Sequence, residues 1–338
     1  MVETECKIAR IGEDYITGMW PDESAALDSS SQAVDLYLNR IEKTLLTYST
    51  PFRIGGYGCG PSGNSKFLRM IVDKLLQKKK DLQIEIMLID LSCNELQLKE
   101  LARVFPETNV FSFSSFNTFY NGGFPNNSMD IIFAFSCLSY PHPEWAPQSK
   151  YESLFYIHGI NHNEEIESYS RSLWKKIITN INNNLKKGGL FMNIEFGVSD
   201  VINEEIQAID KYLTAKGEYL HKFIKKYNLK KSGIPILSRN SEVMTEPMIK
   251  GQVPFEVLMT AQILDPFNLN IELATKTQEE KRNIYIKMAL ATEKPFILDE
   301  SNMENVEKAW KEFEENFPNE FIENDSPNPG VLMAAMKI

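Results

Sequence analysis

Cysteine and histidine are both scarce in this chain, with four of each in 338 residues. Cys6, Cys59, Cys93 and Cys137 are widely spaced with no CxxC pair, and His142, His158, His162 and His221 form no HExxH motif, so no disulfide framework or metal site is expected. Cys59 reads as a small apolar filler in a reducing compartment, with a reactive thiol as the other reading. Positive charge is in deficit too: 36 Lys and Arg against 46 Asp and Glu give a formal net charge of −10. That balance excludes a general binder of phosphate backbones, and nucleic acid is not expected as a partner. The basic runs Lys78–Lys80 and Lys225–Lys226 read as solvated helix faces. No stretch approaches the length of a membrane span, and MVETECKIARIGED carries acids where a signal peptide needs an apolar core. A cytoplasmic protein without a membrane partner is expected. Repeats and low-complexity linkers are missing, while a hydrophobic content of 43% is enough for a substantial core.

What is present centres on FRIGGYGCGPSGNSKFLRMIVDKLL, Phe52 to Leu76. It predicts a strand over Phe52–Ile54, a glycine-dense turn over Gly55–Gly63, and a helix with Phe67, Leu68, Ile71, Val72 and Leu75 at helical spacing. Glycine lets backbone approach a ligand where a Cβ would collide, and a helix start offers unpaired N–H groups. Gly58, Gly60 and Gly63 spell GxGxxG in the strand–turn–helix context that a nucleotide-type pocket requires. A plain chain reversal is the competing reading. IEIMLID then predicts a buried parallel strand ending in Asp90, where an acid can accept hydrogen bonds from both hydroxyls of a ribose. Capping the next helix would explain Asp90 equally well.

The remaining pieces alternate. Ahead of the turn, Val34, Tyr37, Leu38, Ile41 and Leu45 share a helical stripe, with Ser29–Ser31 as N-cap candidates and a start near Ser30. Strands are expected over Asn109–Phe113, Ile131–Phe135 and Gly189–Gly197. A long helix from Glu164 carries Trp174 in its core stripe and stops at Lys186, Lys187 and Gly188. Residues 200–248 read as a mostly helical cap over the sheet's carboxyl edge. PFEVLMTAQIL, two helices (277–292 and 302–317) and VLMAAMKI complete the pattern. The alternation implies an α/β fold with a Rossmann-like parallel sheet and its chemistry at the carboxyl ends of the strands, where Ser115, Phe116, Ser136, Cys137, Ser139 and Tyr140 fall.

The order of these blocks resembles the plant-type carboxyl methyltransferases of the SABATH family, which use S-adenosyl-L-methionine (SAM) on salicylate, benzoate, jasmonate and related acids. The likeness covers most of the chain and is strongest from Ser29 to Gly197. The family's NSxxQ stands here as DSSSQ, so Ser29 matches a cofactor contact and Gln32 the glutamine that holds the substrate carboxylate. DLGCSSGPNT stands as GYGCGPSGNS, in which Gly58 and Asn64 keep cofactor positions while Gly56 replaces the usual aspartate. NDLPxNDF stands as IDLSCNEL, which retains Asp90 for the ribose and Leu91 for the adenine, and Ser115 and Phe116 match the residues flanking that ring. Substrate positions diverge: SSYSLHWLS is AFSCLSYPH here, with Ser136 for the tyrosine, Tyr140 in the tryptophan's place and Ser139 between them, and Ala25 for an earlier tyrosine.

The resemblance therefore implies a class I SAM-dependent methyltransferase sheet with a helical cap, divided as 1–50 (a segment closing over the active site), 51–200 (the SAM-binding core), 201–250 (the cap) and 251–338 (the rest of the core). It implies esterification of a small organic acid, with Gln32 and Tyr140 at the reacting centre, and a homodimer. An ionised carboxylate needs no general base, so orientation supplies the rate and no metal is called for. Three other readings stay open: SAM binding without catalysis, nitrogen methylation, and a nicotinamide-dependent dehydrogenase. The last lacks a YxxxK partner, because Glu144 stands four residues after Tyr140.

Overall fold

The computed structural model describes residues 25–58, 64–90, 101–116, 122–135, 137–139, 155–157, 163–197, 215, 217–229, 236–263, 274–292, 302–319, 321 and 330–338. The apolar runs become strands: β1 (Phe52–Tyr57), β2 (Ile84–Asp90) and β4 (Met129–Phe135) lie inside the sheet, and β3 (Val110–Phe116) forms its edge, where Phe111 and Phe113 are exposed. The amphipathic runs become α1 (Ala25–Leu46) and α2 (Ser65–Lys78), whose predicted stripes are buried apart from the half-buried Ile41. After the short β5 (Phe155–Ile157) come α3 (Glu164–Asn184), β6 (Leu185–Phe196), β7 (Ile236–Ser238), α4 (Ser241–Ile249), β8 (Phe255–Ile263), α5 (Gln278–Thr292), α6 (Met303–Glu315) and β9 (Gly330–Lys337). Asn163 opens α3 by accepting from Ile166 N at 3.2 Å, and Glu164, Glu165 and Glu167 in the first turn oppose the helix dipole.

Seven strands form one sheet in the order β3-β2-β1-β4-β6-β9-β8. The first five run parallel, and β9 lies antiparallel to both β6 and β8. One face is covered by α1 and α2, where Val34, Leu38, Phe67 and Ile71 pack on Ile54 and Phe133. On the other face α3 and α4 bring Trp174, Ile178 and Met244 onto Phe191 and Met333. Each such fully buried side chain contributes about 1.5 to 3 kcal/mol. Trp174 belongs to the core, as its helical spacing predicts, and its indole N–H donates to Met244 O at 2.9 Å.

Several boundaries differ from the sequence expectation. The first helix begins at Ala25, not near Ser30, so Ser29–Ser31 lie inside it and cannot cap it; Ser30 is fully buried. Gly55, Gly56 and Tyr57 belong to β1 and not to the turn, because β2 and β4 hydrogen-bond them from both sides. Strand β3 continues to Phe116 alongside Asp90. The long helix ends at Asn184, and Lys186–Gly188 lie in a bulge where the β4–β6 register jumps from Met129/Leu185 to Ile131/Leu190. Within 200–248, β7 pairs in parallel with β5 as a separate two-stranded sheet, which periodicity did not reveal. Helix α4 packs on β8 and β9 beside α3. The helical stretch 217–226 instead meets α6, through Phe223 on Phe313 and Lys226 on Glu312.

A polar pin fastens the amino edge of the sheet. Buried Asp130 accepts from Arg53 N and Lys186 Nζ, both at 2.8 Å, and from the Tyr48 hydroxyl. The bulge after α3 is what brings Lys186 there. This cluster lies at the end of the sheet opposite the glycine turn, so its role is to lock β1, β4 and β6 together.

Candidate functional site at the carboxyl edge of the sheet

The chain runs outward through β1, β2 and β3 in one direction and through β4 and β6 in the other, so the order reverses between β1 and β4. In open α/β sheets this reversal leaves a crevice outside the carboxyl ends. Gly58 stands at its floor, with φ of +59° and its N–H donating to Ile89 O at 2.9 Å. A Cβ on Gly58 would lie 2.4 Å from Cys137 Cβ, so the first residue of the GxGxxG run is a glycine for both conformational and steric reasons. Gly56 is buried in β1 between Leu88 and Phe133, two residues short of the crevice. Tyr57 turns to the α3 face, where its hydroxyl donates toward Asn184 Oδ1 at 3.2 Å and burial raises its pKa.

Asn64 is buried in the left-handed region (φ 51°, ψ 41°) and opens α2, accepting Leu68 N at 3.0 Å. Its side chain does not cap the helix, and no acid occupies the first turn of α2. Asp90 ends β2 level with Phe116 at the end of β3, and Ser115, which is exposed, pairs with Ile89. The structure thus brings Gly58, Asn64, Asp90, Ser115 and Phe116 to one edge. Ser29, half-buried, and Gln32, exposed, are neighbours three residues apart on α1, which crosses the sheet over β6, β9 and β8 beside α2. Gly60, Gly63, Leu91, Ser136 and Tyr140 lie outside the described residues.

Across the crevice, the segment after β4 is held by a buried polar cluster. Glu195, fully buried near the end of β6, accepts from Leu138 N at 2.8 Å on one oxygen and from the Ser139 hydroxyl on the other. Asn193, its amide oriented by its neighbours, donates to Ala134 O at 2.7 Å and to Glu195 Oε1 at 3.1 Å. Arg239 is also fully buried, donates to Leu138 O at 3.0 Å and lies over the Trp174 ring at 5.1 Å. Gly197 makes room for it: a Cβ there would sit 2.2 Å from Arg239 O. Desolvation raises the Glu195 pKa to about 7, against the opposing effects of the Ser139 hydrogen bond and the Arg239 charge. Ser139, expected at the substrate, is 2% exposed with its hydroxyl committed to Glu195.

Glu195, Asn193 and Arg239 were not singled out from the sequence. One signal was available: a charged residue inside the apolar run GLFMNIEFG is costly to bury without partners. Among the described residues no cluster of three or more metal-ligating side chains occurs, and no helix is long and apolar enough to cross a membrane.

No protein-family model matches the sequence, and comparison with curated proteins returns no match. Solved structures do match. A loganic acid methyltransferase with SAH aligns over 93% of this chain and 92% of its own, with a TM-score of 0.67 and 14% identity. A putative sarcosine dimethylglycine methyltransferase from Galdieria sulphuraria aligns over 99% and 98%, with a TM-score of 0.40 and 12% identity. A geranyl diphosphate C-methyltransferase from Streptomyces coelicolor A3(2) gives the same four values. With the strand order above, the first of these establishes the fold: an α/β, Rossmann-like sheet of the class I SAM-dependent methyltransferase type, with β9 antiparallel between β6 and β8.

Proposed function

We propose that this protein transfers a methyl group from SAM to the carboxylate of a small organic acid, forming a methyl ester. The observation that carries the reading is the likeness in fold, over nearly the whole chain, to a loganic acid methyltransferase. The residue types at the crevice support the cofactor part of this reading. Asp90 would accept from the ribose hydroxyls, Phe116 and Ser115 would flank the adenine with Leu91, and Gly58, Asn64 and Ser29 would hold the remainder. The acid-free first turn of α2 leaves its N–H groups for an anionic group.

SAM, when bound, supplies an electrophilic methyl on a sulfonium. The acceptor side belongs to this chain. A carboxylic acid with a pKa of about 4 to 5 is ionised at pH 7, so its oxygen needs no base. The amide of Gln32 suits it by donating hydrogen bonds without the charge pairing that would blunt the nucleophile. Tyr140 and Ser136 would line the acceptor pocket, and alignment of oxygen, carbon and sulfur supplies the rate. A homodimer remains part of the proposal, on the family resemblance.

A second reading, SAM binding without turnover, is favoured by the commitment of Ser139 to Glu195. A labelled-methyl assay across small carboxylic acids separates the two, because ester formation excludes the second. Gln32→Ala then tests the acceptor assignment: turnover should fall while SAM affinity stays unchanged, and intact turnover would refute the carboxylate contact.

A further inference from the structure

The segment Cys137–Ser139 links β4 to the expected acceptor wall, and each of its three residues is held by a polar contact. Cys137 Sγ approaches Tyr57 O at 3.5 Å, Leu237 N donates to Ser139 O at 2.8 Å, Glu195 accepts from the Leu138 N–H, and Arg239 donates to the Leu138 C=O. We propose that Glu195 and Arg239 are positioning residues for the acceptor: by holding the N–H and the C=O of Leu138 they set where the backbone of Cys137–Ser139 stands at the carboxyl end of β4. The inference rests on the reading that the acceptor lies against 136–140.

Glu195 lies on β6, beyond β4 from Gly58, and Arg239 packs against Gly197 just after that strand. Burying two ionisable groups beneath a three-residue segment costs more than well-packed apolar side chains of similar volume would. The grip is also sensitive to protonation. When Glu195 is ionised, it accepts from the Leu138 N–H, the Ser139 hydroxyl and the Asn193 amide. When it is protonated, one of its oxygens becomes a donor, and the hydrogen bond with Ser139 reverses. Its carboxyl is poised to change state at about pH 7. Among the described residues the charged group facing it is Arg239, and β9 sets Val331 beside it.

The test uses the full chain and Cys137, half-buried on the gripped segment, as a reporter. Its alkylation by iodoacetamide is resolved by mass spectrometry in wild type and in Glu195→Gln, which keeps the shape but does not titrate. Thiolate formation affects both proteins, so the ratio of their rates isolates the grip. It should change by about threefold or more between about pH 5.5 and about pH 8. For an accepted acid, KM in Glu195→Gln should rise about fivefold while SAM affinity stays within about twofold. Glu195→Asp, one methylene too short to reach both Leu138 N and Ser139, should raise KM likewise, and it replaces the glutamine variant if that fails to fold. A flat ratio with unchanged KM in the folded variants overturns the inference while leaving the methyltransferase reading intact. If wild type binds no SAM, the function reading fails and takes the acceptor role with it, whatever Cys137 reports.

Discussion

Replacing Gly58 by alanine should cost far more than one methyl group suggests. At φ +59° an L-residue is held in the left-handed region, at about 1 to 2 kcal/mol. The added Cβ would also stand 2.4 Å from Cys137 Cβ and 2.9 Å from its sulfur, inside the distance at which something must move. Cys137 cannot withdraw freely, because Leu138 and Ser139 are tied to Glu195 and Arg239. Overpacking of this kind adds about 1 to 3 kcal/mol, so Gly58→Ala should lose about 2 to 5 kcal/mol in all. The two parts separate in a double-mutant cycle, since Cys137→Gly removes the obstruction and leaves the backbone cost. Urea unfolding followed by circular dichroism, at an unchanged m-value, should give a favourable coupling of about 1 to 3 kcal/mol between the two changes. Additivity within about 0.5 kcal/mol would show that the turn and the segment after β4 do not press on one another, and would refute the geometry of the crevice floor.

Asp130→Ala strands the Lys186 ammonium and the Arg53 N–H and should lower stability by about 3 to 5 kcal/mol in thermal or chemical melts, with Asp130→Asn recovering part of it. Glu195 should make stability fall as pH rises. Its carboxyl binds a proton more tightly in the folded chain, at about 7 against an ordinary 4.5, so its contribution is complete below about pH 4.5 and is lost as pH passes about 7. The loss is on the order of 3 kcal/mol, and unfolding midpoints of wild type and Glu195→Gln should converge or cross over this range; parallel curves would contradict it. Asp90→Ala should weaken SAM binding by about 10- to 100-fold, as expected for hydrogen bonds to a charged acceptor, and unchanged affinity would remove the ribose role.

Periodicity carried the architecture. The stripes Val34–Leu45 and Phe67–Leu75 and the run ending at Asp90 appear in the structure almost as the sequence has them, because each needs only one buried face or one buried strand to be legible. Gly55–Tyr57 misled because local propensity argues for a turn, while pairing with β2 and β4 decides for strand. Ser29–Ser31 misled for the same reason: serine is a good cap in isolation, but burial of Ala26 and Ser30 carries the helix back to Ala25. On the cofactor side, the candidate residues sit in short contiguous motifs and could be named in advance. The grip on the segment after β4 could not, since Glu195 meets Ser139 across 56 positions and Arg239 meets Leu138 across 101. β5 and β7 are three residues each, too short for a period to show.

Whether the crevice at the β1–β4 reversal takes SAM, as proposed, is decided by calorimetric titration of the full chain with SAM, its demethylated product and NAD in parallel. Saturable binding of SAM or its product, with NAD silent, is the predicted result. Binding of NAD alone would contradict it, and the glycine turn and Asp90 would then belong to a dehydrogenase.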